Sequence, residues 1–484
     1  MLGGIMKKIL MILLLLAMTV GCENTALTNV EELTIYTLND LHGDILDSDQ
    51  SLSRIGQFLM SEKQSNSNSL ILAAGDMFQG TAISNITRGN VVVEMMNKIG
   101  FDAMTIGNHE FDWGTDVIVG LKDGVGVDAD FPLIAANIFE KATDEPVTWA
   151  DPYTITTRGD VKIGIIGLIG EGLETSIAPS MIQDYYFKEE LPLIEYYASL
   201  LRTEKQCDIV IVSVHGNTQS KNQQIANLSG NQQIDAVINA HTHSSYAEIY
   251  RGSDMIPMPV IQASSHGKKI GKIILSLDDS NQVYKASADL LTVSESLSFE
   301  SLDLNAIVDR YNQQINPITS EVLGEAGIRL ANADGAIWAA DALRLATNTD
   351  VAIINTGGII SNAFPILQGE IVTVGHIWKI MPFDNIVKTV DMTVEDFIYS
   401  YYKTSCRLSS NAVIYSQIMT LNEIELDSTD IISVATIDYL FDNTNYRYLE
   451  GTNQMNTEIM FRDLLIDNLR TLCKDGDKWY GNAQ

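Results

Sequence analysis

Short apolar runs recur along this chain and alternate with stretches of helical spacing. Runs rich in Val, Ile, Leu and Ala occupy residues 33–38, 70–74, 103–106, 133–136, 161–168, 209–214, 236–239, 260–263 and 272–277. Many are nearly all apolar, as in Ile163-Gly164-Ile165-Ile166-Gly167, which predicts strands covered on both faces. Between them, residues 89–99 (GNVVVEMMNKI) and 189–202 are amphipathic and predict helices. Such alternation predicts a layered α/β domain over residues 33–295.

The texture changes at residues 294–303, a polar stretch rich in Ser and acidic residues. It leads into 304–315, where Ile307, Val308, Tyr311 and Ile315 recur at helical spacing and predict a connecting helix within a linker spanning 296–324. A smaller α/β domain is expected over 325–484, with strands at 351–355 and 431–436 and helices at 336–347 and 394–404. The chain shows no internal repeat, and residues 61–69 are its one tract of low complexity. A length of 484 residues suits two or three domains.

The N-terminus has a different character. Lys7 and Lys8 precede an apolar run at 9–17, and Thr19-Val20-Gly21-Cys22 follows. This is a charged region, a short apolar core and a small-residue cleavage site, the pattern of a signal peptide over residues 1–21. The run is too short to span a bilayer. Cys22 directly after Gly21 resembles a bacterial lipoprotein processing site, although Thr19 stands where Leu is usual. Residues 22–32 would then tether the protein to a membrane through a lipidated Cys22; ordinary secretory cleavage, leaving a soluble exported protein, is the alternative. Beyond Cys22 only Cys207, Cys406 and Cys473 remain, without a Cys-x-x-Cys pair. The chain is therefore no disulfide scaffold, and free, buried thiols are expected.

With 62 acidic against 31 basic residues the net charge is -31. That surface repels phosphate backbones, so polymeric nucleic acid is not an expected partner. An anionic substrate would have to be drawn in locally, by metal ions or placed cations.

Five motifs carry the chemistry: Asn39-Asp40-Leu41-His42-Gly43, Gly75-Asp76, Gly107-Asn108-His109-Glu110-Phe111-Asp112, Val214-His215-Gly216-Asn217 and Ala240-His241-Thr242-His243. Each follows an apolar run and is expected at the C-terminal end of a strand, the rim where α/β sheets bind ligands. Asp40 and His42, two apart on extended backbone, project to the same side. Asp76 beside Gly75 offers two oxygens for a bridge, Asn108 a neutral carbonyl oxygen, and His215, His241 and His243 imidazoles. Nitrogen and oxygen donors without sulfur suit Zn²⁺, Mn²⁺, Co²⁺ or Fe. A lone Asp or His after a strand is usually a turn former, and His266 and His376 are read that way. Five such pieces in one order are not. They predict a divalent metal site holding two ions.

The ordered set Asp-x-His, Gly-Asp, Gly-Asn-His-Glu, His and His-x-His resembles the calcineurin-type metallophosphoesterases. Gly75-Asp76-Met77-Phe78-Gln79-Gly80-Thr81, Gly107 to Asp112, Ala135-Ala136-Asn137-Ile138, and Gln262-Ala263 followed by Gly267-Lys268-Lys269-Ile270-Gly271 narrow the resemblance to the 5'-nucleotidase family. That family also includes UDP-sugar hydrolases and 2',3'-cyclic nucleotide phosphodiesterases. The resemblance implies a four-layer β-sandwich flanked by helices, followed by a smaller nucleotide-binding domain. It implies one metal on Asp40, His42, Asp76 and His243, and another on Asp76, Asn108, His215 and His241. It makes His109 a transition-state group paired with Asp112 rather than a ligand; Glu110 between them is read as structural.

In the C-terminal domain, Asn355-Thr356-Gly357-Gly358-Ile359 resembles the family's Asn-x-Gly-Gly-Ile loop, which lies near the substrate. The next family residue is usually a phosphate-gripping Arg, and here it is Ile360, which cannot replace a bidentate clamp. Arg329 falls near another family arginine. Met381-Pro382-Phe383-Asp384-Asn385 resembles the Pro-Phe-x-Asn segment whose Phe stacks on a base, with Asn385 beside it. Tyr439 falls where the second stacking aromatic lies. Asn445 stands where the family has a ribose-binding Asp after two glycines. The implied activity is an exported phosphohydrolase acting on 5'-nucleotides. A cyclic nucleotide, a UDP-sugar or another phosphoester is the alternative substrate, and a catalytically silent binding protein the alternative of another class.

Overall fold

The computed structural model describes residues 31–46, 51–124, 126–216, 219–403 and 405–483. The signal-peptide reading and Cys22 lie outside the described residues.

Two six-stranded sheets form the middle of the first domain. One runs in the order Val283–Thr292, Lys269–Leu277, Glu32–Leu38, Ser69–Ala73, Ala103–Thr105, Leu133–Ile134. The other runs Ser245–Arg251, Pro257–Ala263, Ala236–Asn239, Ile209–His215, Val161–Ile169, Tyr153–Arg158. Their facing sides meet in one apolar layer containing Leu33, Ile35, Leu70 and Leu72 from the first sheet and Ile163, Ile165, Ile209 and Ile211 from the second. The alternate residues point outward under helices. Tyr36, Leu38, Ile71 and Ala73 pack beneath Leu52–Ser65 and Asn90–Ile99, while Ile166, Val210 and Val212 pack beneath Glu190–Thr203. The result is four layers, helix, sheet, sheet and helix. Central strands are covered on both faces, which is why they read as unbroken apolar runs. Each fully buried Ile or Leu contributes roughly 1.5–3 kcal/mol.

Three strands escape that pattern. Tyr153–Arg158, Ser245–Arg251 and Val283–Thr292 are antiparallel edge strands with largely exposed or half-exposed residues, and the sequence pattern shows no apolar run there. The tract at 61–69 also departs from its reading: it comprises the last turn of the Leu52–Ser65 helix, a short turn, and Ser69 at the start of the next strand.

The connecting helix runs Leu302–Thr319, capped by Ser301, whose side chain accepts from the Leu304 amide. Leu304, Val308, Tyr311 and Ile315 enter the core of the first domain, and the same helix touches Val374–Ile380 of the second. The second domain centres on a five-stranded sheet in the order Cys406–Leu408, Val351–Asn355, Ile431–Ile437, Ile386–Thr393, Thr452–Met460. Asn332–Thr347 and Phe461–Leu472 pack together beside it. Trp338 and Trp479 meet edge to face in this core, 4.8 Å between centroids, and the Trp338 indole N–H donates to Asn468 Oδ1 at 2.8 Å. Cys207, Cys406 and Cys473 are free thiols; Cys473 is partly exposed rather than buried. Among the described residues no helix is long and apolar enough to cross a membrane.

Candidate metal centre

Glu32–Leu38, Ser69–Ala73 and Ala103–Thr105 are parallel neighbours in one sheet, and Ile209–His215 and Ala236–Asn239 are parallel neighbours in the other. Parallel pairing brings their C-terminal ends to a common edge of the sandwich. Asp40 and His42, Asp76, Asn108 and His109, and His241 and His243 emerge there from four separate loops, and His215 stands at the last position of its strand. Beside them, Thr105 Oγ1 donates to Ser213 Oγ at 2.6 Å, joining the two sheets beneath the site.

The donors converge. Asp40, His42 and His243 form one group, Asp76, His215 and His241 a second, and His42, Asp76 and His109 a third, with the ligand atoms in each within 4.8 Å of one another. Asn108 Oδ1 lies 3.1 Å from His215 Nε2 and 2.9 Å from His241 Nδ1. Asp40, Asp76, Asn108 and His215 are buried almost completely.

Three features fit these residues to divalent cations. The outer ring nitrogens are already engaged: His42 Nδ1 faces the Gln79 carbonyl at 3.1 Å and His215 Nδ1 the Ala74 carbonyl at 2.7 Å. Donation to a carbonyl fixes the tautomer and leaves each Nε2 lone pair aimed inward. Those lone pairs meet other acceptors: His42 Nε2 lies 3.0 Å from His243 Nε2, and His215 Nε2 lies 3.1 Å from Asp76 Oδ2. Acceptors face acceptors, the arrangement a cation resolves. Burial lowers His42 well below the usual imidazole range and His241 and His243 to about 4, keeping them neutral as ligands must be. Burial would lower His215 too, yet the adjacent Asp76 carboxylate raises it to about 9; without a cation a proton occupies that contact.

The third feature is backbone strain. Asp40, His42, Asp76, His241 and His243 all adopt positive φ, between 51° and 73°. Left-handed backbone at a non-glycine residue costs of order 1–3 kcal/mol where it is held, and it gathers at functional sites. Five of the seven expected ligands share it. The loops also approach too closely for side chains: a Cβ on Gly75 would lie 2.6 Å from His215 Nδ1, and one on Gly107 would lie 2.4 Å from Asp76 Oδ1.

Glu110 underpins these loops. Its buried carboxylate accepts from the amides of Asp76 at 2.9 Å, Met77 at 2.9 Å and Gly107 at 2.7 Å. His109 donates its amide to Asp76 Oδ1 at 2.8 Å, and its Nδ1 lies 2.8 Å from Asp112 Oδ2. Burial acts against the imidazolium, but Asp112 and then Asp76 outweigh it and raise His109 to about 10. Burial also pushes the Asp112 carboxyl up. The short contact favours the ion pair, and we take His109 as the protonated partner.

A cavity of about 280 Å³ opens from this edge between the domains. Asn108, His109, Asp112 and His241 line one side, and Asn355, Gly357, Gly358, Phe383, Asn385 and Tyr439 the other. Asn355 Oδ1 is buried without a hydrogen-bond partner among the described residues. Asn385 Nδ2 donates to Asp438 Oδ1 at 2.8 Å, fixing one wall. Arg329 and Asn445 are both exposed and lie outside this lining, so the expected phosphate and ribose contacts are not assembled by either. The loop before Asn332–Thr347 turns Arg329 outward, and the chain around Asn445 lacks the glycines that would let its backbone approach.

Several residues at the site carry no signal in the sequence. Arg462 is buried, its guanidinium carbon 3.4 Å from the Trp378 ring centroid, and it donates to the Phe383 carbonyl at 3.1 Å and to Asp384. Asp384 also receives Arg88 from the first domain. Asn85 Nδ2 donates to the Pro382 carbonyl at 2.7 Å. An arginine on an amphipathic helix reads as solvated, and only the tertiary fold buries it. His266, read as a turn former, instead stands 5.3 Å from His42 and 5.9 Å from His243, centroid to centroid.

Residues 33–245 match the calcineurin-like phosphoesterase family, and residues 329–397 match the 5'-nucleotidase C-terminal domain. The endonuclease YhcR of Bacillus subtilis is 30% identical over 401 residues, covering 75% of this chain and 32% of that protein. A snake venom 5'-nucleotidase of Gloydius brevicauda is 28% identical over 329 residues, covering 62% of this chain and 54% of that protein. The chain thus spans only a third to about half the length of these curated relatives. Among solved structures, the 5'-nucleotidase precursor of Thermus thermophilus superposes with a TM-score of 0.72 at 20% identity, covering 91% of this chain and 96% of that one, a likeness of fold. With its four-layer first domain, its convergent Asp, Asn and His donors and its matched second domain, the chain belongs to the calcineurin-like phosphoesterases of the 5'-nucleotidase type.

Proposed function

We propose that the protein is an exported, metal-dependent phosphoester hydrolase that acts on nucleotides, releasing nucleoside and phosphate. The observation that carries this reading is one cavity walled by Phe383 and Tyr439 on one side and by His109, Asn108 and His241 on the other. Two aromatic side chains at one end suit a base, which stacks for about 1–3 kcal/mol per ring. At the other end are the donors for two divalent ions: Asp40, His42, Asp76 and His243 for one, Asp76, Asn108, His215 and His241 for the other. When bound, such ions offset phosphoryl charge and lower the pKa of water at the site.

The chain's own groups do the rest. Hydrolysis adds water to phosphorus, breaks the P–O bond to the nucleoside and leaves the electron pair on that oxygen. His109, held by Asp112 through Nδ1, presents its remaining ring N–H to the cleft that it lines. From there it donates a hydrogen bond to a phosphoryl oxygen and a proton to the leaving oxygen. Asn355 Oδ1, a buried acceptor without a partner among the described residues, is offered to a substrate donor. The charged N-terminal segment with Cys22 supports export and lipid anchoring, and a cell wall protein of Listeria monocytogenes, 24% identical over 526 residues, is among the relatives.

Phosphate release from AMP and from p-nitrophenyl phosphate tests the reading, with EDTA and with Mn²⁺ or Zn²⁺ restored. Release from both, lost with EDTA and recovered with metal, is expected. Release from the aryl phosphate alone would refute the nucleotide assignment, and no release from either would refute hydrolysis.

A further inference from the structure

Phosphoryl oxygens that do not bind metal need donors from the chain. On the side of His42 and His243 the cleft widens into a cavity of about 510 Å³. Among the described residues no lysine or arginine lines it, and Ile360 adds an apolar side chain to its wall. Arg329 is exposed and lies outside it. What the cavity does hold is imidazole. His42 and His243 belong to the donor groups, and His109 is held by Asp112. That leaves His266.

His266 is built into the centre without belonging to its donor groups. Its ring stands 5.3 Å from that of His42 and 5.9 Å from that of His243, centroid to centroid, yet it joins none of the three convergent groups. Its amide donates to the Asp40 carbonyl at 2.7 Å, so its place follows that of an expected ligand. Asn39 clamps the segment before it, accepting from the Ala263 amide at 2.8 Å and donating to the Ser264 carbonyl at 2.6 Å. Backbone φ is 63° at Ser264 and 54° at His266, the strained conformation that five expected ligands share. Glycine would serve a plain turn there at less cost.

The two ring nitrogens face different ways. Nδ1 lies 3.5 Å from Asp44 Oδ2, and Asp44 is no part of the cavity that holds His42 and His243. Nε2, on the opposite edge of the ring, is left for that cavity. We infer that His266 is a phosphate-binding residue, whose Nε2–H donates to a phosphoryl oxygen of a substrate held at the metal centre. An anionic acceptor at each edge suits a ring with a proton on both nitrogens. The inference rests on the hydrolase reading but not on the nucleotide assignment, since every phosphoester brings the same oxygens.

Asparagine and glutamine separate the two nitrogens, because the Asn amide reaches about as far as Nδ1 and the Gln amide about as far as Nε2. His266→Asn thus keeps a partner for Asp44 and removes the donor to the cavity, while His266→Gln restores that donor. On Mn²⁺-loaded protein, His266→Asn should raise KM about tenfold for AMP and for p-nitrophenyl phosphate alike, with kcat within about threefold. Calorimetry with inorganic phosphate should show the same loss of affinity without turnover. His266→Gln should recover most of both, and metal content should stay at the wild-type value in either variant. A residue that only holds the Asp44 loop would give the reverse, a silent Asn variant and an impaired Gln one, and either result would overturn the inference. So would loss of metal from His266→Asn, which would make His266 a support for the ligands. Wild type active on both substrates, with a silent Asn variant, would overturn the role of His266 alone. Wild type that is inactive yet binds inorganic phosphate through His266 would overturn the hydrolase reading and keep the phosphate site. Wild type that does neither would overturn both.

Discussion

The ring of Phe383 lies against the imidazole of His109, with centroids 6.0 Å apart and planes inclined by 26°. The contact crosses the domain boundary and is held from both sides. Asn85 of the first domain grips the Pro382 carbonyl, and Arg462 of the second grips the carbonyl of Phe383 itself. The aromatic that would carry a base therefore stands at the edge of the transition-state group.

Replacing Phe383 with Ala should raise KM for AMP by roughly 5- to 150-fold, the range of one lost base stack. KM for p-nitrophenyl phosphate should change far less, since that substrate has no base to stack. Steady-state kinetics on the two substrates separates these outcomes. Equal effects on both would place Phe383 in support of His109 and not in base binding.

Glu110 makes a different prediction. Its carboxylate accepts three buried backbone amides that shape the loops of Asp76 and Gly107. Glu110→Ala should cost at least about 3 kcal/mol, because several buried donors lose a charged acceptor. Glu110→Gln should also destabilise, since an amide N–H₂ must then face a backbone N–H. Urea unfolding checks both. A near-neutral Gln variant would mean that the carboxylate's charge and second oxygen do not matter to these loops.

The sequence was most legible where strands are covered on both faces and where ligands follow them. Residues 209–214 and 236–239 announce themselves as apolar runs, and His215, His241 and His243 stand at or just beyond their ends. Edge strands such as Ser245–Arg251 are half solvated and carry no such run. In the second domain, Ile386–Thr393 and Thr452–Met460 are rich in polar residues and stayed hidden for the same reason. The charged members of the site were harder still. Arg462 is buried by Trp378 and Asp384, neither of them near it in sequence. The positions of Arg329 and Asn445 depended on loop paths that residue type does not specify.

Position 360 tests the departure from the family pattern. Ile360→Arg should lower KM for AMP, since a charge-assisted hydrogen bond to phosphate contributes roughly 1.5–3 kcal/mol. A substrate bound in another pose, such as UDP-glucose, should gain nothing from the new arginine or bind more weakly, because the side chain fills space in the cavity that Ile360 lines. Kinetics on both substrates decides the matter; a variant that changes neither would show that position 360 lies away from the bound phosphate.

Cys22→Ala should release the protein from membranes without changing its specific activity, if lipidation of Cys22 is the anchor. Multiple acyl chains anchor firmly where a single chain binds marginally. Fractionation of cells expressing the variant checks it. A variant that still sediments with membranes would require another tether.

The metal-to-protein ratio of Asp76→Ala, compared with wild type and His109→Ala, tests the centre most directly. Asp76 lies within reach of both donor groups, through His42 on one side and through His215 and His241 on the other, whereas the His109 ring is committed to Asp112. Elemental analysis of the purified proteins should find two divalent ions per chain in wild type and in His109→Ala, which nonetheless turns over ~10²-fold more slowly, and fewer in Asp76→Ala. Two ions retained in Asp76→Ala, or the same loss in both variants, would contradict the ligand assignment on which the account stands.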